Sequence, residues 1–192
     1  MVSIKVKGVI HFIKFTEAIK AYAVHMVAKI IRYNQSLKLK SKNVKCIEIT
    51  LRTPVSRDAI KLFKQRYGDD FKVGVGTIVS AEDVQFCVDS KVDFMVSPGL
   101  APAMIQPLED SGIPFIPGVS TPSEIISGLE CGWNYFKFFP ANLFGGVSAM
   151  KTYGAIFPNV LFCPTGGINE MNYKEFLVLD NVISVGGSWL NK

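Results

Sequence analysis

Short apolar runs alternate with longer amphipathic segments along most of this chain. VKCIEITLR is followed by SRDAIKLFKQRYGDD, FKVGVGTIV by SAEDVQFCVDSKV, DFMVSPGL by APAMIQPLEDSG, and PFIPGV by TPSEIISGLECG. YFKFFPA then leads into GVSAMKTYGAIF, VLFCPTGGI into NEMNYKEFLVLD, and VISVGGSWL closes the series. Runs this short, each followed by a segment with helical periodicity, predict repeated βα units and a parallel sheet. Upstream, GVIHFIKF precedes TEAIKAYAVHMVAKII, where Ala18, Ile19, Tyr22, Ala23, Met26, Val27, Ile30 and Ile31 fall at helical spacing and supply one more unit. Eight strands predict an α/β fold of the (β/α)₈ TIM-barrel type rather than an open sheet. Helix starts are signalled by Ser80, with Glu82 and Asp83 in the first turn, and by Thr121 with Glu124 three residues later, the spacing of a capping box.

Composition narrows the class. With 192 residues, 48% of them hydrophobic and 19% charged, the chain has enough apolar surface for one domain spanning 1–192. Cys46, Cys87, Cys131 and Cys163 form no C-x-x-C pair and sit in apolar runs, which predicts reduced core cysteines and a reducing compartment. No apolar run nears the roughly 18 residues of a membrane span, and no secretory leader is evident, so a cytoplasmic protein is expected. The net charge of +5 is uneven: residues 1–50 hold ten Lys/Arg and two acids. The basic front lacks interleaved aromatic residues, which argues against a nucleic-acid partner. His11 and His25 belong to no ligand pattern, so no metal is expected.

In a barrel of this kind the chemistry lies at the carboxyl ends of the strands. Alternation in VKCIEITLR puts Cys46, Glu48, Thr50 and Arg52 on one face and Ile47, Ile49 and Leu51 on the other. In an isolated strand the polar face would be a solvated one; in a parallel βα context the Ile/Leu face packs on helices and the polar face looks inward. The same parity separates Tyr135, Lys137 and Phe139 from Phe136 and Phe138, and aims Lys137 into the barrel opposite Glu48. A buried lysine there is either a structural ion pair or an amine for Schiff-base chemistry. Parity also groups Thr77 with Val73 and Val75, and the threonine, at a strand end, is expected to point inward. PTGG and GGSW read together as a phosphate site made from glycine-rich turns after the last two strands, although PTGG alone could be an ordinary turn. GVGTIV is a weak match to a dinucleotide fingerprint, since Val79 replaces its third glycine.

The ordered motifs CIEITLRTP, GVGTIVSAED, VSPGL, PFIPGVSTPSE, YFKFFPA, FCPTGGI and VGGSWL, over about residues 44–190, closely resemble the bacterial 2-keto-3-deoxy-6-phosphogluconate (KDPG) aldolases of the class I type. The resemblance implies a lyase that cleaves KDPG to pyruvate and glyceraldehyde 3-phosphate, with 4-hydroxy-2-oxoglutarate as a second substrate, and needs no cofactor. It implies that Lys137 forms the imine and Glu48 is the general acid/base. Arg52, Thr77 and Pro98 would hold the keto-acid end and Gly166, Gly167 and Ser188 the phosphate, with Thr165 a further substrate-binding residue. It also implies a homotrimer. The chain departs from the pattern in residues 1–43, in the lysine-rich YNQSLKLKSKN, and in Asn142, where the family commonly has an acidic residue. It ends at Lys192, where the family continues into an eighth helix, so the first and last strands are expected to carry uncovered apolar surface. The competing reading is a diverged barrel that binds a ligand or partner without turnover.

Overall fold

A computed structural model of the chain describes residues 8–13, 46–68 and 72–187, with residues 8–13 and Cys46 as backbone alone. His25, Ser188, the helix expected after residue 16 and the lysine-rich segment lie outside the described residues, as does the side chain of His11. Nine strands and six helices are seen in them: β1 (Gly8–Ile13), β2 (Cys46–Thr50), α1 (Ser56–Tyr67), β3 (Lys72–Gly76), α2 (Ala81–Asp89), β4 (Phe94–Val96), α3 (Pro102–Asp110), β5 (Phe115–Ile116), β6 (Gly118–Val119), α4 (Pro122–Glu130), β7 (Tyr135–Phe138), α5 (Gly146–Ile156), β8 (Leu161–Pro164), α6 (Tyr173–Leu177) and β9 (Ser184–Gly187).

All strand pairs are parallel. One sheet runs β5-β4-β3-β2-β1-β9 and the other β6-β7-β8. Two seams turn these into a ring. β5 and β6 are the halves of the single strand expected from PFIPGV, divided at Pro117, which has no N–H to continue a ladder. β8 meets β9 through parallel bridges, Phe162 with Val182 and Thr165 with Gly186. The Phe162 N–H donates to the Asn181 carbonyl at 2.8 Å, and the Ile183 N–H to the Phe162 carbonyl at 3.1 Å. The result is the expected (β/α)₈ barrel, with β2 and β7 facing each other across it.

The outward faces carry the core. Ile47, Ile49, Val73 and Val75 pack with Ala59, Ile60 and Phe63 of α1 and Val84, Phe86 and Cys87 of α2. On the other side Phe136, Phe138 and Phe162 pack with Ile125 of α4, Met150 of α5 and Phe176 of α6. Phe138 meets Tyr153 edge-on at 5.8 Å between ring centroids. Full burial of each such side chain contributes about 2 kcal/mol. Ser80 caps α2 by accepting from the Asp83 N–H at 3.2 Å. Thr121 and Glu124 form the predicted capping box on α4: the Glu124 carboxylate accepts from the Thr121 N–H at 2.8 Å, and Thr121 Oγ1 accepts from the Glu124 N–H.

Three sequence expectations need correction. The Val73/Val75 face packs on helices, so parity puts Gly74 and Gly76 on the barrel side, and Thr77, past the end of β3 with φ 65°, does not share the Val73/Val75 row. Cys131 is half-buried at the end of α4 rather than in the core, while Cys87 and Cys163 are buried free thiols. The helix expected over NEMNYKEFLVLD is limited to the five residues of α6, since Asn169 and Asn172 spend their side chains on local turn bonds ahead of it.

Candidate active site

The inward faces of β2, β7, β8 and β9 bring polar side chains into the buried centre of the ring. Glu48 is 0% exposed and Lys137 6%. Parity puts them inside because the residues flanking each are apolar and pack on helices, as the alternation demanded. Lys137 pairs in register with Gly118 on one side and Cys163 on the other. Its Nζ lies 4.7 Å from the centroid of the Phe139 ring. Cys163 and Ser184 are buried as well.

Neither carboxylate oxygen of Glu48 has a hydrogen-bond partner among the described residues. A fully buried, unbonded carboxylate is costly, and burial pushes the Glu48 carboxyl up to about 7, against the pull of the Lys137 and Arg52 charges. Burial likewise lowers Lys137 below an ordinary lysine; Glu48 and Cys163 oppose that shift and Arg52 adds to it. For both groups desolvation outweighs their mutual attraction. The pair is therefore a carboxyl that exchanges its proton near neutrality beside an amine that is more readily neutral than usual.

Gly76 makes room for this carboxylate. A Cβ at that position would stand 1.7 Å from Glu48 Oε1 and 2.6 Å from its carboxyl carbon. The G-x-G alternation of β3 was the available sequence signal, but which side chain lies over it depends on the β2–β3 register, Glu48 opposite Gly74 and Thr50 opposite Gly76.

The remaining predicted residues gather at the carboxyl rim, with different exposures. Thr50 is buried and Arg52 is exposed just past β2, its N–H donating to the Thr50 carbonyl at 3.0 Å. Thr77 is half-buried and leaves β3 with φ 65°, a left-handed conformation rare for a β-branched residue. That turn takes it off the Val73/Val75 row and releases it from strand alternation. Pro98 follows β4 and crowds β6: a Cβ on Gly118 would be 2.3 Å from the Pro98 carbonyl carbon. Thr165 is buried at the end of β8. Gly166 and Gly167 follow with φ 94° and 77°, a turn that residues with a side chain rarely adopt.

That glycine turn is held by asparagines on both sides. The Asn142 N–H donates to the Gly166 carbonyl at 3.1 Å, and Asn172 Nδ2 to the Gly167 carbonyl at 3.0 Å. With both carbonyls occupied, the N–H groups of Gly167 and Ile168 donate to no group among the described residues. A turn with free N–H donors suits an anion. Neither asparagine was singled out as a ligand from sequence, since each looks like ordinary loop polarity. Among the described residues no cluster of His, Cys, Asp or Glu could hold a metal ion, and no helix is long and apolar enough to cross a membrane.

Comparison with known proteins supplies the context for this geometry. The family described as "Aldolase: KDPG and KHG aldolase" matches residues 9–192. The chain belongs to that aldolase family. Among curated relatives, the 2-dehydro-3-deoxy-phosphogluconate aldolase of Pseudoalteromonas atlantica is 41% identical over 147 residues, covering 77% of this chain and 68% of that one. The KHG/KDPG aldolase of Escherichia coli K12 is 39% identical over 152 residues, covering 79% and 71%. Among solved structures, a KDPG aldolase from Legionella pneumophila, with pyruvate captured as a covalent carbinolamine intermediate, has a TM-score of 0.84 and 37% identity, covering 96% of this chain and 84% of that one. A Zymomonas mobilis KDPG aldolase with 3-phosphoglycerate has a TM-score of 0.78 and 31% identity, covering 95% and 80%. The aldolase barrel of this chain thus matches the solved aldolases across nearly its whole length.

Proposed function

We propose that this chain is a class I aldolase, built on one barrel domain, that cleaves KDPG to pyruvate and glyceraldehyde 3-phosphate through an imine on Lys137, and that it also accepts 4-hydroxy-2-oxoglutarate. The observation that carries the reading is the buried Glu48 carboxylate, without a hydrogen-bond partner among the described residues, facing the barrel interior with Lys137. A polar group so costly to bury is retained for chemistry more readily than for stability. Relatives named as aldolases, one of them holding pyruvate as a carbinolamine, support the same assignment.

The reaction follows from the pair. The neutral Lys137 amine adds to the C2 carbonyl of the substrate, and loss of water from the carbinolamine, with a proton supplied by the Glu48 carboxylic acid, leaves an iminium ion and the Glu48 carboxylate. Glu48 takes the proton of the 4-hydroxyl, directly or through a water. The C3–C4 bond breaks, its electrons pass to the iminium to give an enamine, and the aldehyde departs. Protonation of the enamine at C3 by the carboxylic acid of Glu48 restores an iminium, and water releases pyruvate and the neutral amine while the Glu48 carboxylate takes up the proton set free. A carboxyl that titrates near 7 serves as base and then as acid without a large penalty in either role. Proton transfer of this kind contributes about 10²–10⁴-fold in rate.

Arg52 and Thr77 are assigned to the substrate carboxylate, with Pro98 lining the same end. Gly166, Gly167 and Ser188 are assigned to the phosphate and Thr165 to substrate binding; the phosphate role is supported for the two glycines by their left-handed turn and by N–H groups of Gly167 and Ile168 that meet no acceptor among the described residues. The family resemblance further supports a cytoplasmic homotrimer, which sedimentation would test. To test the central assignment, the protein is incubated with pyruvate and borohydride and the adduct is mapped by mass spectrometry. A secondary amine on Lys137 is expected. Folded protein that carries no label there sinks the Schiff-base reading and favours a ligand-binding barrel.

A further inference from the structure

We infer that Asp83, held by Arg57, is a positioning residue: it fixes the turn that presents Thr77 to the carboxylate of the keto acid. The inference rests on the ligand role proposed for Thr77. Three hydrogen bonds bracket that residue. The Gly76 carbonyl accepts from the Leu51 N–H at 2.9 Å, the Ile78 N–H donates to the Val96 carbonyl at 3.2 Å, and the Val79 N–H donates to Asp83 Oδ2 at 3.1 Å. The first two run between backbone groups, which any sequence supplies. The third needs the side chain at position 83. Asp83 is buried, and its other oxygen, Oδ1, accepts from Arg57 Nη2 at 2.8 Å. Arg57 lies in the first turn of α1, five residues past Arg52, with its guanidinium 4.7 Å from the centroid of the Phe86 ring on α2. One carboxylate therefore ties the start of α1 to the turn after β3, beside the segments that carry Arg52 and Thr77.

Asp83 does more here than start a helix. It is the third residue of α2, and Ser80 accepts from its N–H as an N-cap should. On α4 the Glu124 carboxylate accepts from the Thr121 N–H and from the Ser120 N–H before it. The shorter Asp83 spends one oxygen on Val79, ahead of the cap, and the other on α1. Val79 is two residues from Thr77, which stands at φ 65°, a conformation that a β-branched residue leaves unless its surroundings hold it. With the Val79 N–H released, the turn relaxes toward negative φ, and the threonine is aimed at the ligand in only a fraction of the molecules. Apparent affinity for the keto acid then falls by that fraction.

The test measures the pyruvate concentration that half-saturates borohydride trapping on Lys137, together with kcat for KDPG, in the wild type, Asp83→Ala and Asp83→Asn, each also combined with Thr77→Gly. Asp83→Ala is expected to raise the half-saturating concentration about tenfold with kcat changed less than about threefold, while Asp83→Asn, which keeps an acceptor for the Val79 N–H, recovers most of the loss. In the Thr77→Gly background the same substitutions are expected to shift it by less than about twofold, because residues that act through one another are not additive. A helix cap alone would lower thermal stability and leave pyruvate binding as it was. Unchanged half-saturation in Asp83→Ala, an equal loss in Asp83→Asn, or a rise that persists in the Thr77→Gly background overturns the inference and leaves the aldolase reading intact. If Thr77→Gly by itself leaves pyruvate binding unchanged, the ligand role of Thr77 falls and the inference with it, whereas a wild type that takes no label on Lys137 overturns the aldolase reading itself.

Discussion

Gly76 and Glu48 occupy one another's space: the Cβ that any other residue would bring to position 76 would lie 1.7 Å from the Glu48 carboxylate. The general acid/base proposed for this barrel is held in its position by the absence of a side chain on the adjacent strand. Glu48 is fully buried and lacks a hydrogen-bond partner among the described residues, so shape rather than bonding fixes where its carboxylate can stand.

Gly76→Ala is therefore expected to act on catalysis more than on folding. Its methyl group forces the Glu48 carboxyl aside, and a displacement near 1 Å from a productive position costs about 10²-fold in kcat. Overpacking of the same site destabilises the fold by roughly 1–3 kcal/mol. Steady-state kinetics alongside chemical denaturation would check the pair of effects, and a folded variant with wild-type kcat would refute the steric account.

Glu48 also makes stability depend on pH. Its carboxyl titrates near 7 in the fold against a reference of 4.5, so the unfolded chain releases this proton first as pH rises. The sign follows: stability contributed by the neutral carboxyl is complete below about pH 4.5 and is lost as pH rises toward about 7, by roughly 2–3 kcal/mol over the window. Glu48→Gln removes that slope, so its stability relative to wild type should improve between pH 5 and pH 8. Denaturant titrations at both pH values measure the change, and parallel behaviour of the two proteins would contradict it.

Thr77 stores strain at the rim. At φ 65° a β-branched side chain costs of order 1 kcal/mol or more, and glycine adopts the same conformation freely. Thr77→Gly is expected to leave stability equal or raise it by about 1 kcal/mol, while KM for the keto acid rises because the proposed carboxylate contact is gone. Thermal unfolding and kinetics together decide this. A large loss of stability would mean that the threonine is needed for packing rather than for ligand.

Much of the barrel is legible in the sequence. The period-2 alternation in CIEIT and YFKF put Glu48 and Lys137 on the faces opposite Ile47, Ile49, Phe136 and Phe138, and the helix-packed cores bear that out. The same reasoning failed at Thr77, because alternation is a property of extended backbone and the chain leaves that conformation at residue 77. FKVGVGT does not reveal on its own which of its faces meets helices; valines of that size suit a helix-packed face, and glycines suit an interior already filled by Glu48.

By itself, then, the sequence determined the order of βα units, the capped starts of α2 and α4, and the inward aim of the amine and carboxyl, since these depend on periods and caps within a few residues. The tertiary structure alone decided how the ring closes at Pro117 and Thr165, how deeply Glu48 is desolvated, and that Gly76 cradles it. It also decided that Asn142 and Asn172 grip the Gly166–Gly167 turn. Each of these is a relation between strands or loops distant in sequence, set by register and packing that no local pattern encodes.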